Sequence, residues 1–188
     1  MDSKDEENRI AMTLARRAYL YGAFHVVFGG GVHEASAAQL FSENTAGALA
    51  WLAGKVAADE GLSEKSVGLS LRTMTECVAE AVACVGEHSE GDAVSKATVA
   101  MEEDFPKLFQ VPGDSYVRPW ESPYTSTDGM LFRGSTLDVR SFYHQAGFRL
   151  QTEQHFPDDH VSAMMDFMAR MSQCVYEAYA DGRDENAV

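Results

Sequence analysis
Apolar residues recur every three to four positions along most of this chain, and the intervals between these runs carry residues that start and stop helices. From about Glu7 to Phe28, Ile10, Leu14, Tyr21, Phe24 and Phe28 fall near helical spacing, with Arg9, Arg16 and Arg17 among the polar positions. Gly29-Gly30-Gly31 ends the run. No strand precedes these glycines and no Lys-Ser follows, which argues against a phosphate loop. Glu34 to Asp59 reads as helix in one or two pieces, with a break near Ser42 to Thr45 and a buried side of Ala46, Leu49, Leu52 and Val56. Gly61 punctuates its end. From Ser63, a candidate N-cap, Val67, Leu71, Met74, Val78, Val82 and Val85 trace a further amphipathic helix.

After a polar turn over Glu87 to Asp92, the pattern resumes from Ala93 to Phe109 and carries Val94, Met101, Phe105 and Leu108 inward. Pro106 should kink that helix or begin a separate last turn. Asp128-Gly129 signals a turn, and Met130-Leu131-Phe132 suits a short extended piece. Ser135-Thr136-Leu137-Asp138 has the form of a capping box for a helix that Gly147 is placed to stop. Pro157 can stand just outside the next helix, with Asp158 or Asp159 as its N-cap. Val161, Met164, Met165, Met168, Met171 and Val175 then form a broad apolar side. No segment shows convincing alternation of period two. The expected class is all-α: one helical-bundle domain over residues 1–188 with a proline- and aromatic-rich loop.

That loop, Pro119-Trp120-Glu121-Ser122-Pro123-Tyr124, lies at the centre of the stretch from Phe105 to Met168. Prolines lower the entropy lost on ordering, and the aromatics need something to pack against. Such a loop is a poor spacer. It can cover the helices or form a site.

Composition narrows the chemistry. The 15 basic residues stand against 29 acidic ones, a net charge of −14, which argues against nucleic acid as a partner and suits basic ones. The odd trio Cys77, Cys84 and Cys174 contains no CxxC, so the thiols read as reduced, mostly buried small hydrophobes of a cytoplasmic chain. Met1 to Glu7 is acidic and has no adjacent apolar core, so it is no secretory signal, and no apolar run is long enough for membrane insertion.

Asp158-Asp159-His160, with His144 and His155, suggests acid–base catalysis or a metal site. Aspartates at a helix start are also the ordinary way to satisfy free N–H groups. No His-Glu-x-x-His spacing occurs, and no nucleophile elbow. The expectation is therefore no catalytic residue, no metal and no cofactor. Met164, Met165, Met168 and Met171 cluster with Phe167 on one helix. They can be core, or a flexible surface for apolar segments. Beside Asp158, Asp159 and Glu121, such a surface would suit a peptide combining arginines with a hydrophobic stretch. A helical binding module is the first reading. A small helical enzyme or metal protein using Asp159 and His160, and a general helical adaptor, are the alternatives.

The order of these motifs resembles the TorD/DmsD family of redox-enzyme maturation chaperones. The resemblance runs from Asp104-Phe105 through Leu108-Phe109 and Pro112-Gly113 to Pro119-Trp120-Glu121-Ser122-Pro123-Tyr124. It continues in Leu131-Phe132, Gly134-Ser135-Thr136-Leu137 and Arg140, and ends in Pro157-Asp158-Asp159-His160. It implies an all-helical cytoplasmic chaperone that recognises the twin-arginine leader of a molybdopterin oxidoreductase precursor. Such a chaperone would shield the precursor body until cofactor insertion. It implies leader binding at Trp120, Glu121, Ser122, Tyr124, Asp159 and His160. Family members carry further helices after the one opened by Asp-His, whereas this chain ends at Val188 after an acidic tail. The expectations are a naturally short protein, a shortened one, or a bundle completed by another chain as a homodimer or by helix exchange.

Overall fold
The structure is a computed structural model that describes residues 3–29, 33–58, 66–87, 90–125, 134–151, 153, 155 and 157–182. Among them it forms eight helices and no strand: α1 (Ser3–Gly29), α2 (Glu34–Leu40), α3 (Glu43–Ala57), α4 (Ser66–Glu87), α5 (Glu90–Phe109), α6 (Ser122–Thr125), α7 (Gly134–Gln145) and α8 (Val161–Ala180). The expected N-cap at Ser63, the turn at Asp128-Gly129, the piece Met130-Leu131-Phe132 and the Cys84 side chain lie outside the described residues. The chain divides into two units, residues 32–105 and residues 1–31 with 106–188.

In the unit of residues 32–105, the break near Ser42 is real and has a local cause. Ser42 caps α3, its Oγ accepting from Thr45 N–H at 3.4 Å, while Thr45 Oγ1 donates to the Gln39 carbonyl at 2.7 Å. Both hydroxyls therefore turn the chain between α2 and α3. Leu49, Ala48, Leu71 and Val94 are buried here, and α3 packs against α4. Helix α5 is continuous through Pro106, so the proline does not begin a separate last turn. The Pro106 carbonyl ends it by accepting from both Gln110 and Val111, at 3.0 and 2.8 Å. Leu108, expected inward, is exposed.

The other unit is organised by α1 against α8. Among the described residues, Leu20, Tyr143 and Phe167 are buried in it. The Phe167 ring meets Tyr143 at a tilt, 4.8 Å between centroids, and Phe148 and Phe142 edge to face at 5.4 and 5.6 Å. Phe28 meets Phe109 edge to face at 5.6 Å. Near the start of α8, Ser162 Oγ donates to the His25 carbonyl at 3.0 Å, and His25 Nδ1 lies 3.0 Å from the Ser162 carbonyl oxygen. Ser162 Oγ also lies 3.0 Å from His25 Nδ1, so the serine meets both the main chain and the ring of His25. The close approach needs Gly29, because a Cβ there would stand 2.8 Å from Ser162 Oγ.

Gly147 stops α7 as its position suggests. It takes a φ of 73°, Phe148 N–H bonds the Tyr143 carbonyl at 2.9 Å, and Gly147 N–H bonds that of His144 at 3.0 Å. These are the paired closing bonds of a left-handed helix end, which glycine adopts without Cβ strain. The start of α7 differs from expectation. The helix already includes Ser135, and the Thr136 hydroxyl goes to a distant carboxylate instead of a cap. The cysteines also differ: Cys77 and Cys174 are free thiols on exposed residues, not core hydrophobes.

Candidate functional site
Val117 begins the approach to the loop, its N–H bonding the Leu108 carbonyl at 2.7 Å. Three residues later the chain pairs with the segment that precedes α8. Val161 N–H donates to the Pro119 carbonyl at 2.8 Å and Glu121 N–H to the Asp159 carbonyl at 3.1 Å. Together they make an antiparallel bridge between Trp120 and His160. The two rings meet edge to face at 5.5 Å. Pro119 is buried and fits this geometry because the bridge uses its carbonyl and needs no N–H from it.

The loop then turns into the single helical turn α6. Its first N–H, that of Ser122, donates to Asp159 Oδ2 at 2.7 Å. Asp159 therefore satisfies a helix-start donor, but of α6, not of α8. The expectation that Asp158 or Asp159 caps α8 is corrected: the N-cap is His160, whose Nδ1 accepts from Ser162 N–H at 3.1 Å. Tertiary pairing brings α6 to Asp159 and leaves the adjacent imidazole to serve the local helix.

Helix α7 supplies the other side. Asp159 Oδ1 accepts from Thr136 Oγ1 at 3.2 Å. Asp158 Oδ2 accepts from Arg140 Nε at 2.7 Å and also pairs with Nη2. The Tyr143 hydroxyl donates to the Asp158 carbonyl at 3.2 Å. Thr136, Arg140 and Tyr143 are spaced i, i+4, i+7 and share one face of α7. Beyond them His144 Nε2 lies 2.9 Å from Glu153 Oε2, and Arg140 and Arg149 stand 4.0 and 3.9 Å from the same carboxylate.

Both aspartates are buried, Asp159 with 0% and Asp158 with 1% of its surface exposed. Among the described residues, Asp158 Oδ1 and Ser122 Oγ are buried without a hydrogen-bond partner. Burial pushes the Tyr143 hydroxyl well above its ordinary value, and the charges of Asp158, Asp159 and Asp166 push the same way, so it stays a donor. Burial lowers the His160 imidazole, with Asp159 opposing, which keeps Nδ1 free to accept. The hydrogen bond from His144 holds the Glu153 carboxyl below its ordinary value, helped by His144, Arg149 and Arg140 charge against the cost of burial.

The structure brings five of the six candidate residues into one bonded cluster: Trp120, Glu121, Ser122, Asp159 and His160. Ser122 and Asp159 are buried, and Trp120, Glu121 and His160 are half-buried. Tyr124 leans outward, 65% exposed, with its hydroxyl donating to the Arg118 carbonyl at 3.1 Å. Asp158 was legible as part of an acidic surface, Thr136 and Arg140 only as parts of a pattern, and Tyr143 and His25 not at all. The available signal was the run of polar groups at helical spacing on α7, where a buried face should be apolar. Among the described residues, no three His, Cys, Asp or Glu side chains gather as metal ligands would. No described helix is long and apolar enough to cross a membrane.

Comparison with known proteins identifies the family. A protein-family profile described as nitrate reductase delta subunit matches residues 70–188, more than half of the chain and the whole of the cluster just described. The probable Tat proofreading chaperone DmsD of Haemophilus influenzae is 31% identical over 71 residues. That match covers 38% of this chain and 35% of the relative, so the chain spans about a third of its length. No solved structure matches the chain. The motifs, the helical fold and the profile match converge: the chain belongs to the nitrate reductase delta subunit family, that of the TorD/DmsD-type chaperones.

Proposed function
We propose that this protein is a cytoplasmic maturation chaperone that binds the twin-arginine leader of a molybdenum-cofactor oxidoreductase precursor. On this reading it also shields the precursor body until the cofactor is inserted, and it acts by binding rather than by catalysis. The observation that carries the proposal is the loop fastened by the Trp120–His160 bridge, which joins the two rings edge to face and leaves the adjoining Glu121 half-buried. Glu121 attracts the guanidinium groups, and arginine suits a forked contact with a carboxylate. Trp120, Tyr124 and the His160 edge receive the apolar part of the leader. Ser122 and Asp159 hold the turn between them. The net charge of −14 draws in the basic end.

The test is titration calorimetry with the leader of a molybdoenzyme precursor from the same genome, and with its twin-lysine variant. The expected result is tighter binding of the arginine form, falling moderately with salt as the charge contribution is screened. A folded protein that binds neither peptide would refute leader recognition. Equal binding of a scrambled leader would favour a general helical adaptor.

A further inference from the structure
Residues 119–122 belong to no regular sheet and only one helical turn, so their geometry is imposed by the chain around them. Asp159 imposes most of it. Its main-chain carbonyl accepts from Glu121 N–H, Oδ2 from Ser122 N–H and Oδ1 from Thr136 Oγ1. Arg140 and Tyr143 fasten the preceding Asp158 to α7. With 0% of its surface exposed, Asp159 can reach a docked guanidinium only by giving up bonds that hold the loop.

We infer that Asp159 is a positioning residue of the leader-binding loop: it acts through Glu121 and Ser122, and the leader does not touch its charge. This rests on the leader-binding reading and deepens it. Hydrogen-bond chemistry separates the two roles. The Ser122 N–H can only donate, whereas the Thr136 hydroxyl can donate or accept. An amide at position 159 therefore fits both neighbours, its oxygen facing Ser122 and its NH2 facing Thr136. Asp159→Asn keeps the latch and removes the charge. Asp159→Ala removes the side-chain latch altogether. Thr136→Val removes one anchor of the carboxylate and leaves its charge in place.

The experiment measures leader affinity by calorimetry for the wild type and the three variants, far below each unfolding midpoint. Amide hydrogen exchange at Ser122 is followed in parallel. Under those conditions a residue that merely adds stability leaves the affinity of the folded protein unchanged. The expected result is Asp159→Asn within about threefold of wild type and Asp159→Ala weaker by about tenfold or more, as for loss of a charge-assisted hydrogen bond. Thr136→Val should fall between them. Exchange at Ser122 should accelerate in Asp159→Ala and stay near wild type in Asp159→Asn. If Asp159→Asn binds as poorly as Asp159→Ala, the leader reads the charge and the inference is overturned. Wild-type affinity in Asp159→Ala overturns it equally. Should that variant fail to fold, Thr136→Val decides, and wild-type binding by it overturns the inference. If the wild type binds no leader, the proposed function fails. Ser122 exchange then still judges the latch, and unchanged exchange in Asp159→Ala refutes it.

Discussion

At its N-terminal end α8 grows from a segment in which nearly every polar group has an assigned neighbour: Asp158 with Arg140, Asp159 with Ser122 and Thr136, His160 with Ser162, and Ser162 with His25. Further along, the same helix borders an open groove of about 810 Å³. Its lining includes the small residues Ala15, Ala18 and Ala169 together with Phe148 and Cys174. Arg170 reaches over the Phe148 ring at 5.7 Å. Directional bonds fix one geometry at the first end. At the second, short side chains leave space, and no bond depends on their identity. Substitutions should therefore be felt sharply at one end of a single helix and weakly at the other.

The largest effect should come from Arg140→Met. It leaves the buried Asp158 carboxylate without its counter-charge, which costs about 3–5 kcal/mol in comparable buried pairs. Urea unfolding measures it, and a loss below about 1 kcal/mol would mean that water solvates Asp158 well enough to replace the arginine. Next comes Gly29→Ala, whose Cβ would press on Ser162 Oγ at 2.8 Å. Overpacking of this kind costs about 1–3 kcal/mol, reduced by the better helix propensity of alanine. Adding Ser162→Ala removes the atom in the way. The double variant should then be more stable than the sum of the single changes predicts.

A smaller effect should appear with pH. Burial lowers the His160 pKa from 6.5, so the folded state favours the neutral ring. Its contribution is whole above pH 6.5 and is lost as the pH falls below that value towards the folded pKa. Protonation also puts a second donor against Ser162 N–H, a lost cap worth about 1 kcal/mol. His160→Asn should keep the cap and flatten the slope of stability against pH between 5 and 7. An unchanged slope would place the titration elsewhere. The smallest effect belongs to the groove, where Gln173→Ala removes one exposed hydrogen bond to Glu177 and should stay within about 0.5 kcal/mol.

The contrast also marks what could be read from the sequence. The stop at Gly147 and the break near Ser42 were legible, because the partners that satisfy them lie within a few residues. The same local logic misassigned Asp159 to its own helix. Its true partners, Ser122 and Thr136, are 37 and 23 residues away, and spacing along the chain carries no sign of that pairing. Leu108 went outward for a related reason. Periodicity placed it on an inner face, but α5 ends one residue later and its carbonyl serves Val117. The residue types of the candidate site were visible in sequence. Their division into half-buried surface and buried support was not, since burial is decided by helices that meet only in three dimensions.

The latch between Ser122 and Asp159 has a consequence for the order of events in synthesis. A ribosome adds roughly 5–20 residues per second, so the 37 residues between donor and acceptor separate their appearance by roughly 2–7 s. During that interval Trp120 and Glu121 exist as a flexible stretch, and their final geometry waits for Asp159 and His160. Contacts of such long sequence separation also form late for reasons of loop closure. The loop that would meet a client therefore takes its shape only once Asp159 and His160 have been made.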